Sequence, residues 1–180
     1  MSAGSMASSL GRLAIACVPS SEQASYMRSA DGDAALIPPP ILGTAWGGVQ
    51  LALTMVAGGR RRFRGQPLIA GALAAGATAL GATALGLFRR AGTTFHPQHP
   101  DEATALVTDG VYAYTRNPMY VSMLVMLLAG SVASGRLRTL VALPGMVASL
   151  QPQLQAEEAA LGRLFGDDYV AYRQRVRRWL

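Results

Sequence analysis

Two stretches of this chain hold side chains that could do chemistry together. The first is Leu106-Val107-Thr108-Asp109-Gly110-Val111-Tyr112-Ala113-Tyr114-Thr115-Arg116-Asn117-Pro118-Met119-Tyr120. Asn117 is a strong N-cap type and Pro118 suits the first helical position, so a helix is expected to begin here with Arg116 just outside it. A helix N-terminus presents free N–H groups and partial positive charge. With a guanidinium beside it, that end forms a site for a carboxylate or phosphate at a membrane surface. The same arrangement also serves simply to anchor a helix end at the interface. The second stretch is Glu157-Glu158. On a helix carrying Leu154, Leu161, Leu164 and Phe165 the two glutamates fall three and four residues after Leu154, on the apolar face. Two carboxylates buried there without partners would cost on the order of several kcal/mol. Arginines, a bound cation or a wet cavity should therefore meet them.

Other chemistries find no support. His96 and His99 are the only histidines, the prolines at 97 and 100 prevent a regular helical pairing, and the lone Cys17 is remote, so no metal is expected. The single cysteine also excludes an intrachain disulfide. No glycine-rich phosphate loop follows a strand, and no Ser–His–Asp arrangement stands out.

The elements that must position these residues are helices in lipid. Hydrophobic residues make up 51% of the chain and charged ones 14%, against roughly 25% charged in ordinary soluble domains. Mean hydropathy is +0.25. These values exclude a disordered chain and argue against a soluble globule. Net charge is +6 and the pI is near 10.2. The basic residues lie between long apolar runs without stacking aromatics, so no nucleic-acid partner is expected. All 16 basic residues are arginine, which hints at a GC-rich bacterial genome.

The expected fold class is all-α, an integral membrane helical bundle of about four transmembrane helices with a cytosolic C-terminal helical cap. Residues 1–35 read as a flexible leader, with Met27 an alternative start, and 36–180 as a single membrane-embedded domain. Membrane helices are expected at 36–56, 67–88, 119–134 and 138–154, followed by cytosolic or interfacial helices over 155–180. The second span is charge-free and dominated by Gly and Ala, with Gly71, Gly76, Gly81 and Gly86 among them, and such small residues suggest close packing by neighbours. The third and fourth form a tight hairpin around Gly135. Pro144-Gly145 interrupts the fourth and leaves room for a lipophilic molecule from the side. At the C-terminus Asp167-Asp168 can cap a last helix after Gly166. That helix carries Tyr169, Tyr172, Val176 and Trp179 as an aromatic stripe amid arginines, a pattern suited to the membrane interface. Placing both termini in the cytoplasm puts ten arginines inside and six outside, with the 60–64 loop as the dissenting cluster.

The motif 107–112 followed by Arg116-Asn117-Pro118-Met119-Tyr120, then Glu157-Glu158 with Leu161, Phe165-Gly166, Tyr169, Tyr172 and Val176, resembles the isoprenylcysteine carboxyl methyltransferase family and the related phospholipid N-methyltransferases. The resemblance covers roughly residues 85–180 and joins two motifs in order and spacing. It implies a multispan membrane enzyme that uses S-adenosylmethionine at the cytosolic surface; with the bacterial origin that the arginine usage suggests, the expected location is a bacterial inner membrane. It further implies that Arg116 and the helix start at Asn117, Pro118 and Tyr120 meet the cofactor. Leu106, Val107, Gly110 and Tyr112 would line its pocket. Glu157 and Glu158 would lie near its cationic end or the incoming substrate, with Arg116 and Glu158 as the catalytic pair. Asn117 and Thr104 stand where many members carry histidine. The implied partners are membrane lipids and a lipophilic small-molecule or lipid acceptor, with no obligate protein partner. The accepting atom stays open among oxygen, sulfur and nitrogen. An NADPH-dependent membrane reductase of the sterol type, or a non-catalytic membrane protein of the same fold, are the competing readings.

Overall fold

A computed structural model describes residues 37–56, 58–92 and 104–180. The leader over 1–35, Cys17, His96 and His99 lie outside the described residues, as do the readings made for them. Four helices carry the architecture: α1 (Pro39–Val56), α2 (Gln66–Arg90), α3 (Pro118–Ser134) and α4 (Ala142–Arg175). Short 3₁₀ turns at Gly110–Ala113 and Leu137–Val141 lead into α3 and α4. No strand occurs among the described residues, which are all-helical as expected. Prolines open α1, α2 and α3, where the missing N–H costs nothing. One helix among those described, α2, is long and apolar enough to cross a membrane; α3 is apolar but has only 17 residues. At 25 residues α2 runs ~38 Å, more than a hydrocarbon core requires.

The most extensive packing is α2 on α3. After Gln66, the buried residues of α2 are Ala70, Ala77 and Ala84. The close packing expected of this small-residue helix is made by its alanines rather than by its glycines. A seven-residue step returns to the same helix face, whereas the five-residue step of the glycines walks around it. Gly71, Gly76 and Gly86 have open space beside them, and only Gly81 meets a neighbour, Ser122.

Helices α1, α3 and α4 share a core of Tyr120, Leu127, Ala142, Met146, Leu150 and Leu154, with Leu42 and Trp46 packed against it. The Trp46 indole lies where a side chain at Gly145 would stand, and its Nε1 donates to Ser149 Oγ at 3.1 Å. Pro144 sits in the first turn of α4. Pro144-Gly145 therefore neither interrupts the helix nor leaves lateral room: the gap is filled by the chain's own indole. A polar tie joins α1 to α3, where buried Gln50 Nε2 donates to the Leu127 carbonyl at 2.7 Å and to Ser131 Oγ at 2.8 Å. Gln50→Leu should lower stability by about 1 kcal/mol, read as a fall in thermal midpoint in detergent.

At one end of the bundle the α1–α2 and α3–α4 connections are bonded to each other. The Arg61 N–H donates to the Gly135 carbonyl at 2.8 Å, and Gln66 Nε2 to the carbonyls of Val132 and Ala133 at 2.7 and 3.2 Å. Gly135 ends α3 in the left-handed conformation (φ +67°), and the Arg61 carbonyl occupies the place a Cβ would need. Arg60, Arg61, Arg62 and Arg64 thereby join Arg136 and Arg138 at the end away from the 104–117 loop.

Helix α4 does not break at residue 155. It runs on through Pro152 and bends at Gly166, which adopts φ +47°. Beyond that bend Tyr169, Tyr172 and Val176 are buried with Phe165 and Leu106. The aromatic stripe thus faces protein, because the 104–117 loop covers it. The helix also ends at Arg175, so Trp179 lies on a non-helical tail and packs against the α1/α3/α4 core.

Candidate functional site

The site grows from the end of α2. Gly110 takes φ +61°, and a Cβ there would come 2.9 Å from the Leu87 side chain, so glycine permits the turn to start against α2. The turn carries Tyr112 inward, edge-on to Phe88 with ring centroids 5.3 Å apart. Tyr172 Oη donates to the Tyr112 carbonyl at 2.7 Å, fastening the loop to the last part of α4. Burial holds the phenols of Tyr112 and Tyr172 above the ordinary tyrosine range.

The next residues are fixed by the C-terminal tail. The Arg116 N–H donates to the Arg177 carbonyl at 3.0 Å, while Thr115 Oγ1 and Asn117 Nδ2 donate to the Arg178 carbonyl at 3.1 and 3.0 Å. Asn117 therefore occupies the N-cap position of α3 without capping it by its side chain. The amide is committed to the tail instead.

The two glutamates meet different partners. Glu158 Oε1 lies 3.0 Å from an Arg116 guanidinium nitrogen. Arg178 takes the same carboxylate with two nitrogens, Nε to Oε1 at 2.8 Å and Nη2 to Oε2 at 2.6 Å. Arg116 also donates to Tyr169 Oη at 3.2 Å, and its buried Nε has no hydrogen-bond partner among the described residues. Glu157 has no cationic partner among the described residues. It accepts from Tyr120 Oη and, at 3.1 Å, from Gln153 Nε2. Burial pushes its carboxyl up to about 7 against the opposing pull of those two hydrogen bonds, and neighbouring Glu158 adds to the rise. The adjacent carboxyls thus differ in their partners: Glu158 is paired with two guanidinium groups, and Glu157 is a buried carboxyl held by a phenol and an amide.

These residues enclose one cavity. Leu106, Val107 and Tyr112 supply one wall, Arg116, Asn117, Pro118 and Tyr120 another, and Glu157 and Glu158 a third. Gly110 is the one candidate outside the wall; it shapes the turn that delivers Tyr112. Phe88, Ala105, Met119, Leu161, Tyr169 and Tyr172 complete the lining and were not expected as site residues. For Tyr169 and Tyr172 the signal existed in their i, i+3 spacing after the glutamates. Thr104 is exposed and outside the wall. The cavity holds about 80 Å³, less than the ~300 Å³ at the lower end of small-molecule sites, and it is open on one side. A second, apolar groove of about 280 Å³ adjoins it, formed by Pro39 and Pro40 of α1, Gly81 of α2, and Met119, Tyr120, Ser122 and Met123 of α3. Met119 and Tyr120 belong to both.

Fold and site together define an all-helical protein with an arginine–glutamate cavity at one end of an apolar bundle. Residues 65–168, more than half of the chain, match the phospholipid methyltransferase family, and the chain belongs to it. The match takes in all of α2, further toward the N-terminus than the motifs alone suggested. The chain is also similar to Protein-S-isoprenylcysteine O-methyltransferase of Schizosaccharomyces pombe, 38% identical over 76 residues that make up 39% of this chain. The similarity spans 30% of that relative's length.

Proposed function

We propose that the protein is an S-adenosylmethionine-dependent membrane methyltransferase. Its acceptor is lipophilic with a small nucleophilic head, an isoprenylcysteine-type carboxylate or another lipid-like group. The observation that carries this reading is the shared wall: Tyr120 and Met119 separate a cavity lined by Arg116, Glu157 and Glu158 from an apolar groove. The polar side suits a zwitterionic cofactor and the apolar side a hydrocarbon tail.

The donor set fits the cofactor. Arg116, beside the start of α3 and with a buried nitrogen that has no partner among the described residues, suits its carboxylate. Glu157 and Glu158 line the wall that its cationic part or the incoming acceptor would face. When bound, S-adenosylmethionine offers a methyl group on a sulfonium, transferred by in-line attack of the acceptor. The chain's own work is alignment and exclusion of water, which can account for much of the rate. Leu106, Val107 and Tyr112 provide the dry wall. A carboxylate or thiolate acceptor needs no base; for an amine, Glu157 is the group at hand to take the proton. Family membership does not favour the NADPH-dependent reductase. The site is placed at the cytosolic face of a bacterial inner membrane as part of the same proposal.

The test offers purified protein in lipid nanodiscs labelled S-adenosylmethionine and matched head groups with and without an isoprenyl or alkyl tail. Transfer to the tailed compounds, at least tenfold over the tailless ones, is expected. Equal turnover would show that the acceptor comes from solution. Binding of NADPH without binding of S-adenosylmethionine would overturn the enzyme class.

A further inference from the structure

We propose that Arg178 is a positioning residue, which occupies the Glu158 carboxylate so that Arg116 stays available for the carboxylate of the cofactor. This rests on the methyltransferase reading. Arg178 engages both oxygens of Glu158, while Arg116 reaches Glu158 through a single nitrogen and keeps its Nε without a partner among the described residues. A carboxylate held by one guanidinium fork cannot accept a second in the same two-point geometry. Without Arg178, Glu158 would draw in the whole Arg116 fork, and the site's cation for an incoming anion would be lost. The position of Arg178 does not depend on its side chain alone. Its carbonyl accepts from Thr115 and Asn117, so shortening or neutralising the side chain leaves the tail attached.

Calorimetric titration of the full chain in nanodiscs with S-adenosylmethionine and with its decarboxylated analogue tests this. Arg178→Gln should weaken S-adenosylmethionine at least tenfold and leave the decarboxylated compound within about twofold. This difference would not arise from a general structural lesion. Arg178→Lys, with charge but no fork, should fall between, and it carries the comparison if the glutamine variant does not fold. Equal weakening of both ligands, or none of either, overturns the inference. A wild-type chain that binds neither ligand overturns the methyltransferase reading itself and the inference with it.

Discussion

Arg116→Ala and Glu158→Gln should each reduce methyl transfer by roughly 10²-fold or more, the scale seen when one preorganised charge contact is removed from an active site. Both side chains are largely buried, 11% and 13% exposed. The two variants should differ in stability. Arg116→Ala leaves Glu158 paired with Arg178, so the fold keeps a neutralised carboxylate. Glu158→Gln leaves two guanidinium groups facing a neutral amide and should cost more, on the order of 3 kcal/mol. Labelled methyl transfer, beside helical circular dichroism in detergent, separates the two effects. Near-normal turnover in both variants would place the chemistry elsewhere. Loss of fold in both would make the pair an anchor of the helix end.

Glu157→Gln should make the protein more stable at pH 8 and remove most of its pH dependence between pH 5 and 8. Glu157 binds its proton more tightly in the folded protein, with a pKa of about 7 against 4.5 for the free group. Its stabilising contribution is therefore fully present below 4.5 and is lost as pH rises through about 7. The difference corresponds to ~3 kcal/mol. Thermal unfolding at several pH values checks the sign: the wild type should weaken on going from pH 5 to pH 8 and the variant should not. A wild-type midpoint that rises over that interval would mean that Glu157 is ionised in the fold at all these values.

Helix beginnings were legible because their chemistry is local. Pro39-Pro40 and Asn117-Pro118 mark the first turns of α1 and α3, and Gly135 and Gly166 mark a stop and a bend. The neighbourhood of Arg116 and the glutamates was legible from motif spacing. What they do to each other was not. Adjacent positions on a helix point about 100° apart, so Glu157 and Glu158 had to diverge. Which of them met the arginines depended on a tail that reads as helix and is not. The sequence does not single out Arg178 for that reason, and Asn117 reads as a cap because its competing acceptor, the Arg178 carbonyl, lies 61 residues away in sequence. The Trp46–Gly145 contact is equally non-local: a Pro-Gly pair reads as a break until the indole that fills it is known. For the stripe of Tyr169, Tyr172 and Val176, periodicity announced a buried face but not what would bury it.

The bonds joining the Arg61 amide to Gly135 and the Gln66 side chain to Val132 make the two arginine-bearing turns a single unit in any bilayer. Guanidinium groups do not shed their charge, and each costs about 3 kcal/mol at the centre of a bilayer. In a bilayer that all four helices cross, turns tied in this way keep all six on one side and make the sidedness of the two helical hairpins one binary variable. A single reporter on either turn would then read the orientation of the bundle.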